Sequence, residues 1–166
     1  MTKFNITVIN TGGTFNKVYN PLNGDLEVAK DAKALKEILS FCYNVDFEVR
    51  NIISKDSLEM NDDDRSLIVK NINETQNENI IIIHGTDTMN LSTLFVDNLV
   101  KDKKIVFVGS MLPFSINKVE ATLNFSMAVG FLNSSIENGV YISMHGSVKN
   151  YKNIKKNRKI GQFLNC

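Results

Sequence analysis

The stretch Ile80-Ile81-Ile82-Ile83-His84-Gly85-Thr86-Asp87-Thr88-Met89 decides the fold. Four consecutive isoleucines are typical of a strand that is buried on both faces of a parallel sheet. An imidazole, hydroxyls, a carboxylate and a glycine follow at once. Ligands of open α/β sheets bind beyond the carboxyl ends of the strands, so these polar groups are predicted to line a site.

The same succession of an apolar run and a polar tip recurs along the chain. If the strands are parallel, their tips meet at one edge of the sheet and form a polar rim. Besides 80–83, the apolar runs cover 6–9, 47–53, 105–108 and 140–144, and their polar tips cover 11–14, 54–57, 109–111 and 145–147.

Segments with helical periodicity lie between these runs, at 31–41, 62–73, 91–100 and 119–132. Asn61 or Asp62 is a suitable N-cap for the second of them. Alternating strands and helices predict a three-layer α/β fold with a mostly parallel sheet, Rossmann-like or flavodoxin-like. The length favours a single domain over residues 1–166.

Residues 17–28 interrupt this alternation. Two short runs, 17–19 and 25–28, flank Asn20-Pro21-Leu22-Asn23-Gly24, and Asn-Gly between such runs is a hairpin signal. The segment is interpreted either as a flap over the tip of the first strand or as an ordinary surface hairpin.

Composition narrows the class of protein. No apolar run reaches 18 residues and the N-terminus enters a strand almost immediately, so neither a membrane span nor a secretory signal is expected. Two cysteines suggest neither a disulfide framework nor a metal site, and a cytoplasmic location is expected. Six of the 19 basic residues lie from Lys149 onward, but few aromatics and no known binding module accompany them, so nucleic-acid binding is not expected.

The residues of the rim suggest acyl transfer. Thr14 and Thr86 are candidate nucleophiles, and Asp87 with a lysine of the basic tail could relay the proton of a threonine hydroxyl. Backbone amides of Gly12, Gly13 and Gly85 are candidate oxyanion donors. Each feature also has a structural interpretation: Thr11–Thr14 as a tight turn, Ser57 as a loop serine, His84 bonded to backbone and Asp87 as a helix cap.

Four motifs then coincide with a known family. Thr11-Gly12-Gly13-Thr14-Phe15, Asp56-Ser57 before Met60-Asn61-Asp62, the 84–89 motif, and Val108-Gly109-Ser110-Met111-Leu112-Pro113 resemble, in order and spacing, the bacterial-type L-asparaginases (asparaginase/glutaminase family). The resemblance covers nearly the whole chain. It implies hydrolysis of L-asparagine to L-aspartate and ammonia through a threonine acyl-enzyme, with neither a metal nor an organic cofactor.

The resemblance also implies roles for individual residues. Thr14 matches the nucleophile, Thr86 and Asp87 match the second threonine and its neighbouring acid, and Lys156 matches the catalytic lysine, with Lys155 one register step away. Ser57 matches the serine that binds the α-carboxylate, and Ser110 the position whose carbonyl contacts the side-chain amide. Gly13, Asp56 and Gly85 are expected beside them at the substrate.

The departures from the family pattern are specific. Only Tyr19 is available as the flap tyrosine, in a shorter loop, while Leu58 and Leu112 replace a common glutamine and arginine. The usual family chain is about twice as long, so either the C-terminal domain is absent, as in a short single-domain relative, or the chain is a truncated piece of a longer protein. The contribution of that domain to the site is expected from another copy of the present domain, from Glu27 or another flap residue, or from nothing.

Self-association is expected for the same reason, as a homodimer or homotetramer. The candidate contact helices are 91–100 and 119–132, where Phe95, Phe125, Met127 and Phe131 offer apolar surface. Two other functions remain open: an amidase for D-asparagine, glutamine or a larger amide, and a non-catalytic domain that binds an amino acid.

Overall fold

A six-stranded sheet forms the middle layer of the protein, which a computed structural model describes over residues 3–166. The sheet order is β4-β1-β5-β6-β7-β8, and β2–β3 and β9–β10 are separate two-stranded sheets. In chain order the strands are β1 (Phe4–Gly12), β2 (Lys17–Tyr19), β3 (Leu26–Val28), β4 (Val45–Lys55), β5 (Asn79–Ile83), β6 (Lys104–Val108), β7 (Gly139–Met144), β8 (Ser147–Asn150), β9 (Ile154–Asn157) and β10 (Gln162–Asn165).

The five predicted strands are confirmed as parallel neighbours, and only β8 joins the main sheet antiparallel. Taken in chain order, these five strands have the flavodoxin-like order 2-1-3-4-5. The chain continues from β1 to β4 on one side and later to β5 on the other. The order therefore reverses beside β1, which is where ligands of such sheets bind.

Four helices cover the two faces of the sheet, as the periodicity predicts. They are α1 (Lys33–Leu39), α2 (Asp62–Glu74), α3 (Met89–Leu99) and α4 (Lys118–Leu132). Asn61 is the N-cap of α2: its side chain accepts from the N–H of Asp64, whose carboxylate accepts from the N–H of Asn61. This reciprocal capping box explains why the helix begins there.

The isoleucine run explains the two cores. Ile80 and Ile82 point to the face covered by α2 and α3, whereas Ile81 and Ile83 point to the face covered by α1 and α4. All four are fully buried. Successive side chains of a strand alternate between faces, so a strand between two helical layers needs apolar residues at every position.

The prediction about the apolar surface of α4 needs a correction. Phe125 is fully buried on the face of the sheet and offers no surface to a second copy, because it packs in the core with Ala121 and Ala128. The exposed apolar residues of α3 and α4 are instead Leu91, Leu94, Leu99, Val119 and Leu123.

The predicted hairpin at 17–28 is confirmed as β2–β3. The basic tail, for which the sequence predicts no structure, forms β8 and the β9–β10 hairpin. Within residues 3–166, no helix combines the length and apolar character that crossing a membrane requires.

Gly13 tests the close packing of the strand tips. Its φ is 71°, and a Cβ there would lie 2.5 Å from backbone atoms of Gly85, so Gly13→Ala should lower the free energy of unfolding by at least about 2 kcal/mol. Gly130→Ala in α4 is the matched control, since nothing lies within 4 Å of the added Cβ. This control should raise the free energy of unfolding by about 0.5–1 kcal/mol. Urea unfolding measures both, and a neutral Gly13→Ala would contradict the packing.

Candidate active site

The tips of three neighbouring strands meet with almost no space between their backbones. A Cβ on Gly13 would lie 2.5 Å from the Cα of Gly85, and a Cβ on Gly85 would lie 2.6 Å from the Cβ of Ser57. Glycine at 13 and 85 lets the backbones approach this closely. The segments that carry Thr14, Thr86 and Ser57 are therefore brought together, as the polar rim predicts.

A lysine, a threonine and an aspartate form the polar centre of the rim. The Nζ of Lys156 donates to the Oγ1 of Thr86 at 2.8 Å and to the Oδ1 of Asp87 at 2.9 Å. Thr86 is 5% exposed, and the side chain of Lys156 is 13% exposed. Partial burial weakens solvent screening of this charge pair, which strengthens the interaction.

The β9–β10 hairpin delivers Lys156 to this position. Lys156 pairs with Phe163 across the hairpin, and Phe163 is buried. Successive residues of a strand face opposite sides, so the adjacent Lys155 is exposed. Of the two lysines, Lys156 is the one that contacts Thr86. Arg158 adds a second link between hairpin and site by donating to the carbonyl of Asp87 at 2.8 Å.

Thr14 begins a short 3-10 turn directly after Gly13 and is partly buried. Asn16 in this turn donates to the Oδ1 of Asn10 at 2.9 Å and to the carbonyl of Gly12 at 2.7 Å. The Oγ1 of Thr11 donates to the carbonyl of Ile83 at 2.6 Å. These bonds tie the turn to the sheet and hold the backbone of Thr14 beside β5.

The predicted oxyanion donors need a correction. The N–H of Gly13 donates to the carbonyl of Lys55 at 2.9 Å, and the N–H of Gly12 donates to the side chain of Asn10. Neither amide is therefore available to a substrate. Of the three predicted donors, only the N–H of Gly85 has no protein acceptor within residues 3–166.

Ser57 and Asp56 occupy the tip of β4. The Oγ of Ser57 accepts from the N–H of Thr88 at 3.3 Å, and the side chain of Ser57 is buried against Gly85. Asp56 accepts from the Nζ of Lys17 at 2.7 Å. Burial opposes ionisation of Asp56, but the bonds from Lys17 and Leu58 and the charges of Lys17 and Lys156 together lower its pKa.

Ser110 is buried beyond β6 and donates its hydroxyl to the carbonyl of Leu112 at 2.7 Å. Next to it, the Sδ of Met111 accepts from the Oγ1 of Thr86 at 3.5 Å. Glu120 on α4 holds this loop by accepting from the N–H groups of Met111 and Leu112 at 2.8 and 3.0 Å. The loop thus contacts the candidate site through Met111.

The β2–β3 hairpin leaves an open cleft of about 510 Å³ beside the site. The hairpin is joined to β4 by the Lys17–Asp56 pair, and Glu27 accepts from the side chains of Asn20 and Asn23 at its tip. Tyr19 is 63% exposed. The hydroxyl of Tyr19 makes no hydrogen bond within the described part of the chain, so a role in the site requires movement of the hairpin or a ligand.

The His84 side chain packs beneath the strand tip, against the backbone of Gly85 and the ring of Phe107. The side chain is fully buried, and its Nδ1 lies 2.7 Å from the carbonyl of Gly85. A carbonyl only accepts, so Nδ1 carries the proton and Nε2 is left buried with no partner. Burial lowers the pKa of His84 to about 4.

Sequence reasoning missed three residues that organise the site: Lys17, Glu120 and His145. Lys17 belongs to the predicted hairpin and Glu120 to a predicted helix, and His145 directly follows β7. The location of each residue in the secondary structure is therefore predictable from the sequence. Their partners lie 39, 9 and 18 residues away along the chain. No local pattern signals such pairings, because they depend on how elements pack.

Comparisons with known proteins agree with the geometry. A family model described as the N-terminal asparaginase domain matches residues 5–160. The chain is 30% identical over 165 residues to a probable periplasmic L-asparaginase of Haemophilus influenzae, covering 92% of this chain and 46% of that protein. It is 29% identical over 149 residues to one of the subunits of the glutamyl-tRNA(Gln) amidotransferase of Methanococcus vannielii, covering 87% of this chain and 35% of that protein.

The fold also resembles a solved structure. The thermostable L-asparaginase from Thermococcus kodakarensis superposes with a TM-score of 0.84 at 22% identity, covering 98% of this chain and 51% of that chain. The chain therefore spans about half the length of the proteins it matches, or less.

His84 predicts a pH dependence of stability. Its pKa is 6.5 ordinarily and about 4 when folded, so the unfolded chain binds more protons between these values and stability rises with pH there. Lowering the pH from 6.5 to 5 should remove up to about 2 kcal/mol of unfolding free energy through this group. The contribution is complete above pH 6.5 and is lost as the pH falls toward 4. Urea unfolding across this range measures it, with His84→Asn expected to flatten the slope; an equal slope in both proteins would contradict the assignment.

Proposed function

The chain belongs to the asparaginase family, and from that premise we propose that it hydrolyses the side-chain amide of L-asparagine through a threonine acyl-enzyme. The observation that carries the proposal is the contact of Lys156 with both Thr86 and Asp87 at 2.8 and 2.9 Å. The side chain of Lys156 is mostly buried, and it lies between a buried hydroxyl and a carboxylate. Such a placement suits a lysine that exchanges a proton with the hydroxyl.

In the proposed reaction, the Oγ1 of Thr14 attacks the carbon of the amide while its proton leaves. The carbonyl oxygen gains negative charge in the tetrahedral intermediate, and we assign its stabilisation to the N–H of Gly85, which has no acceptor within the described residues. Collapse of the intermediate breaks the C–N bond, and the nitrogen leaves as ammonia after taking up a proton. Ester hydrolysis by water then releases aspartate and restores Thr14.

Thr86, Asp87 and Lys156 act as the proton relay in this scheme. The relay uses the neutral amine of Lys156, which accepts the proton of Thr14 through the hydroxyl of Thr86; Asp87 then stabilises the resulting ammonium. Lys156 then returns a proton to the departing nitrogen. In the second step Lys156 accepts a proton from the attacking water through Thr86 and returns it to the Oγ1 of Thr14 as the ester bond breaks.

The two charged ends of an amino-acid substrate need different partners: a hydrogen-bond donor for the α-carboxylate and a carboxylate for the α-ammonium. We assign the α-carboxylate to Ser57, whose hydroxyl is held at the tip of β4, and the α-ammonium to Asp87, with Asp56 nearby as a second carboxylate. Asp56 is already paired with Lys17, which reduces its attraction for a cation. Ser110 contributes its carbonyl to the side-chain amide, and Gly13 keeps the backbone close to Gly85.

Tyr19 is proposed to act when the hairpin closes over the substrate and excludes water, as catalytic lids do. Its exposure is consistent with an open state of this lid. Leu58 is 66% exposed and lines the cleft beside the site, where the family commonly has a polar glutamine. This replacement is the reason for testing other amides, such as glutamine or D-asparagine.

We also propose that the chain forms a homodimer, or a homotetramer built from two dimers. Exposed leucines on α3, Leu91, Leu94 and Leu99, offer apolar surface for a second copy. A second copy would also supply polar groups at the cleft, a contribution that further chain could make in relatives of about twice this length.

Thr14 tests the activity directly. Purified protein should release ammonia from L-asparagine, and Thr14→Ala should lower kcat by roughly three orders of magnitude because the covalent route is lost. Thr14→Ser keeps a hydroxyl and should retain part of the activity. Coupled ammonia detection with L-asparagine, D-asparagine and L-glutamine measures rate and preference.

Two results would redirect the proposal. Retention of more than a tenth of kcat by Thr14→Ala would move the nucleophile to Thr86. Calorimetric binding of aspartate without ammonia release from any of the three amides would favour the amino-acid-binding domain instead.

Lys156 and Lys155 form a matched pair for the relay. Lys156→Ala should lower kcat by roughly a hundredfold or more, whereas Lys155→Ala should change it by less than about twofold, because only Lys156 contacts Thr86. The double variant Asp87→Ala, Lys156→Ala should be little worse than Lys156→Ala, since groups that act as a unit are not additive. Multiplicative losses would contradict a shared relay.

A further inference from the structure

The turn between β7 and β8 has a histidine at a position that favours other residues. His145 has φ of 51°, and the following Gly146 has φ of 81°. Turns with two positive φ values join antiparallel strands tightly, and Asn, Asp or Gly is preferred at their first central position. Histidine adopts this conformation more readily than most residues do, but the turn alone does not require it.

The ring of His145 has a partner at each nitrogen. Its Nδ1 accepts from the backbone N–H of Phe163 at 3.1 Å, and its Nε2 lies 3.1 Å from the Oε1 of Glu120. A backbone N–H only donates, so Nδ1 is unprotonated and Nε2 donates to the carboxylate. The ring of Phe163 also packs edge-on against the imidazole, with centroids 6.0 Å apart.

Each partner of the His145 ring, Phe163 and Glu120, is connected to Thr86 through one further residue. Phe163 is the residue that pairs with Lys156 across the β9–β10 hairpin. Glu120 holds the N–H groups of Met111 and Leu112, and Met111 contacts the hydroxyl of Thr86. The imidazole therefore links the hairpin that carries Lys156 to Glu120, which holds the loop that contacts Thr86.

We propose that His145 is a positioning residue that sets the distance between the Nζ of Lys156 and the Oγ1 of Thr86. Without its ring, the N–H of Phe163 loses its acceptor and the hairpin loses its link to the loop held by Glu120. The kinetic consequence rests on the proposed function, because misplacement of a catalytic group by about 1 Å costs roughly a hundredfold in rate.

Three variants separate this role from general stability. His145→Gly removes both ring contacts and accepts the positive φ without strain. His145→Asn also suits the turn and retains an oxygen that can accept from Phe163. Ser147→Ala is the control, because it removes another side-chain bond between this turn and the same hairpin, from Ser147 Oγ to Asn165 Oδ1 at 3.0 Å.

The kinetic measurement is ammonia release from L-asparagine, on variants shown to be folded by thermal unfolding. His145→Gly should lower kcat by about tenfold or more with KM changed by less than about twofold, since the substrate contacts are untouched. His145→Asn should recover much of kcat, and Ser147→Ala should match the wild type. Equal losses in His145→Gly and Ser147→Ala, or no recovery in His145→Asn, would overturn the proposal.

A second measurement does not depend on activity. Acetylation of individual lysines, followed by peptide mass spectrometry, compares Lys156 with the exposed Lys155 in the same protein. Lys156 should react several times faster in His145→Gly than in the wild type, while Lys155 stays the same. Faster labelling in a protein that hydrolyses no amide would reject the proposed function and retain the positioning role; unchanged labelling of Lys156 would overturn the positioning role itself.

Discussion

The contact between the backbones of Gly13 and Gly85 is the constraint on which the rest of the site depends. Each residue stands at the tip of a neighbouring parallel strand, and neither has a Cβ that would keep the strands apart. Thr14 and Thr86 follow these glycines directly. The sheet order reverses at the same place, so the fold itself opens a crevice where the two hydroxyl-bearing segments meet.

The second requirement is the charged group that the tail brings to this crevice. Lys156 lies 70 residues beyond Thr86 in the chain, yet its ammonium contacts Thr86 and Asp87. The contact needs β8 to extend the main sheet antiparallel and the β9–β10 hairpin to fold back over the tips. Two cations of the basic tail, Lys156 and Arg158, thereby become part of the candidate site.

Two side chains of α4 that lie one turn apart, Glu120 and Asn124, hydrogen-bond to the loops beside the crevice. Glu120 holds the loop after β6, and Asn124 donates to the carbonyl of Gly109 and accepts from the N–H of His145. One helix face thus positions the loop after β6 and the turn after β7. This arrangement makes the geometry of the site depend on packing in the α1–α4 layer, where Phe125 is fully buried.

The sequence by itself determined the five parallel strands, the four helices, the hairpin and the polar rim, because these follow from local periodicity and turn residues. The run Ile80 to Ile83 requires burial on both faces of the sheet. The capping box of Asn61 and Asp64 forms between two residues that are close in the chain. The motifs at 11–15 and 84–89 likewise indicated the family and the identity of Thr14, Thr86 and Asp87 as candidates.

Only the tertiary structure decided which lysine reaches Thr86, which glycine amide remains available, and which phenylalanine is covered. Lys155 and Lys156 are indistinguishable by composition, and the alternation of a strand whose register is set by Phe163 separates them. The amide of Gly13 donates to the carbonyl of Lys55 on the neighbouring strand segment. The side chain of Phe125 is covered by the sheet on which it packs. Each outcome depends on contacts between residues distant in the chain, whose geometry is set only when the layers pack together.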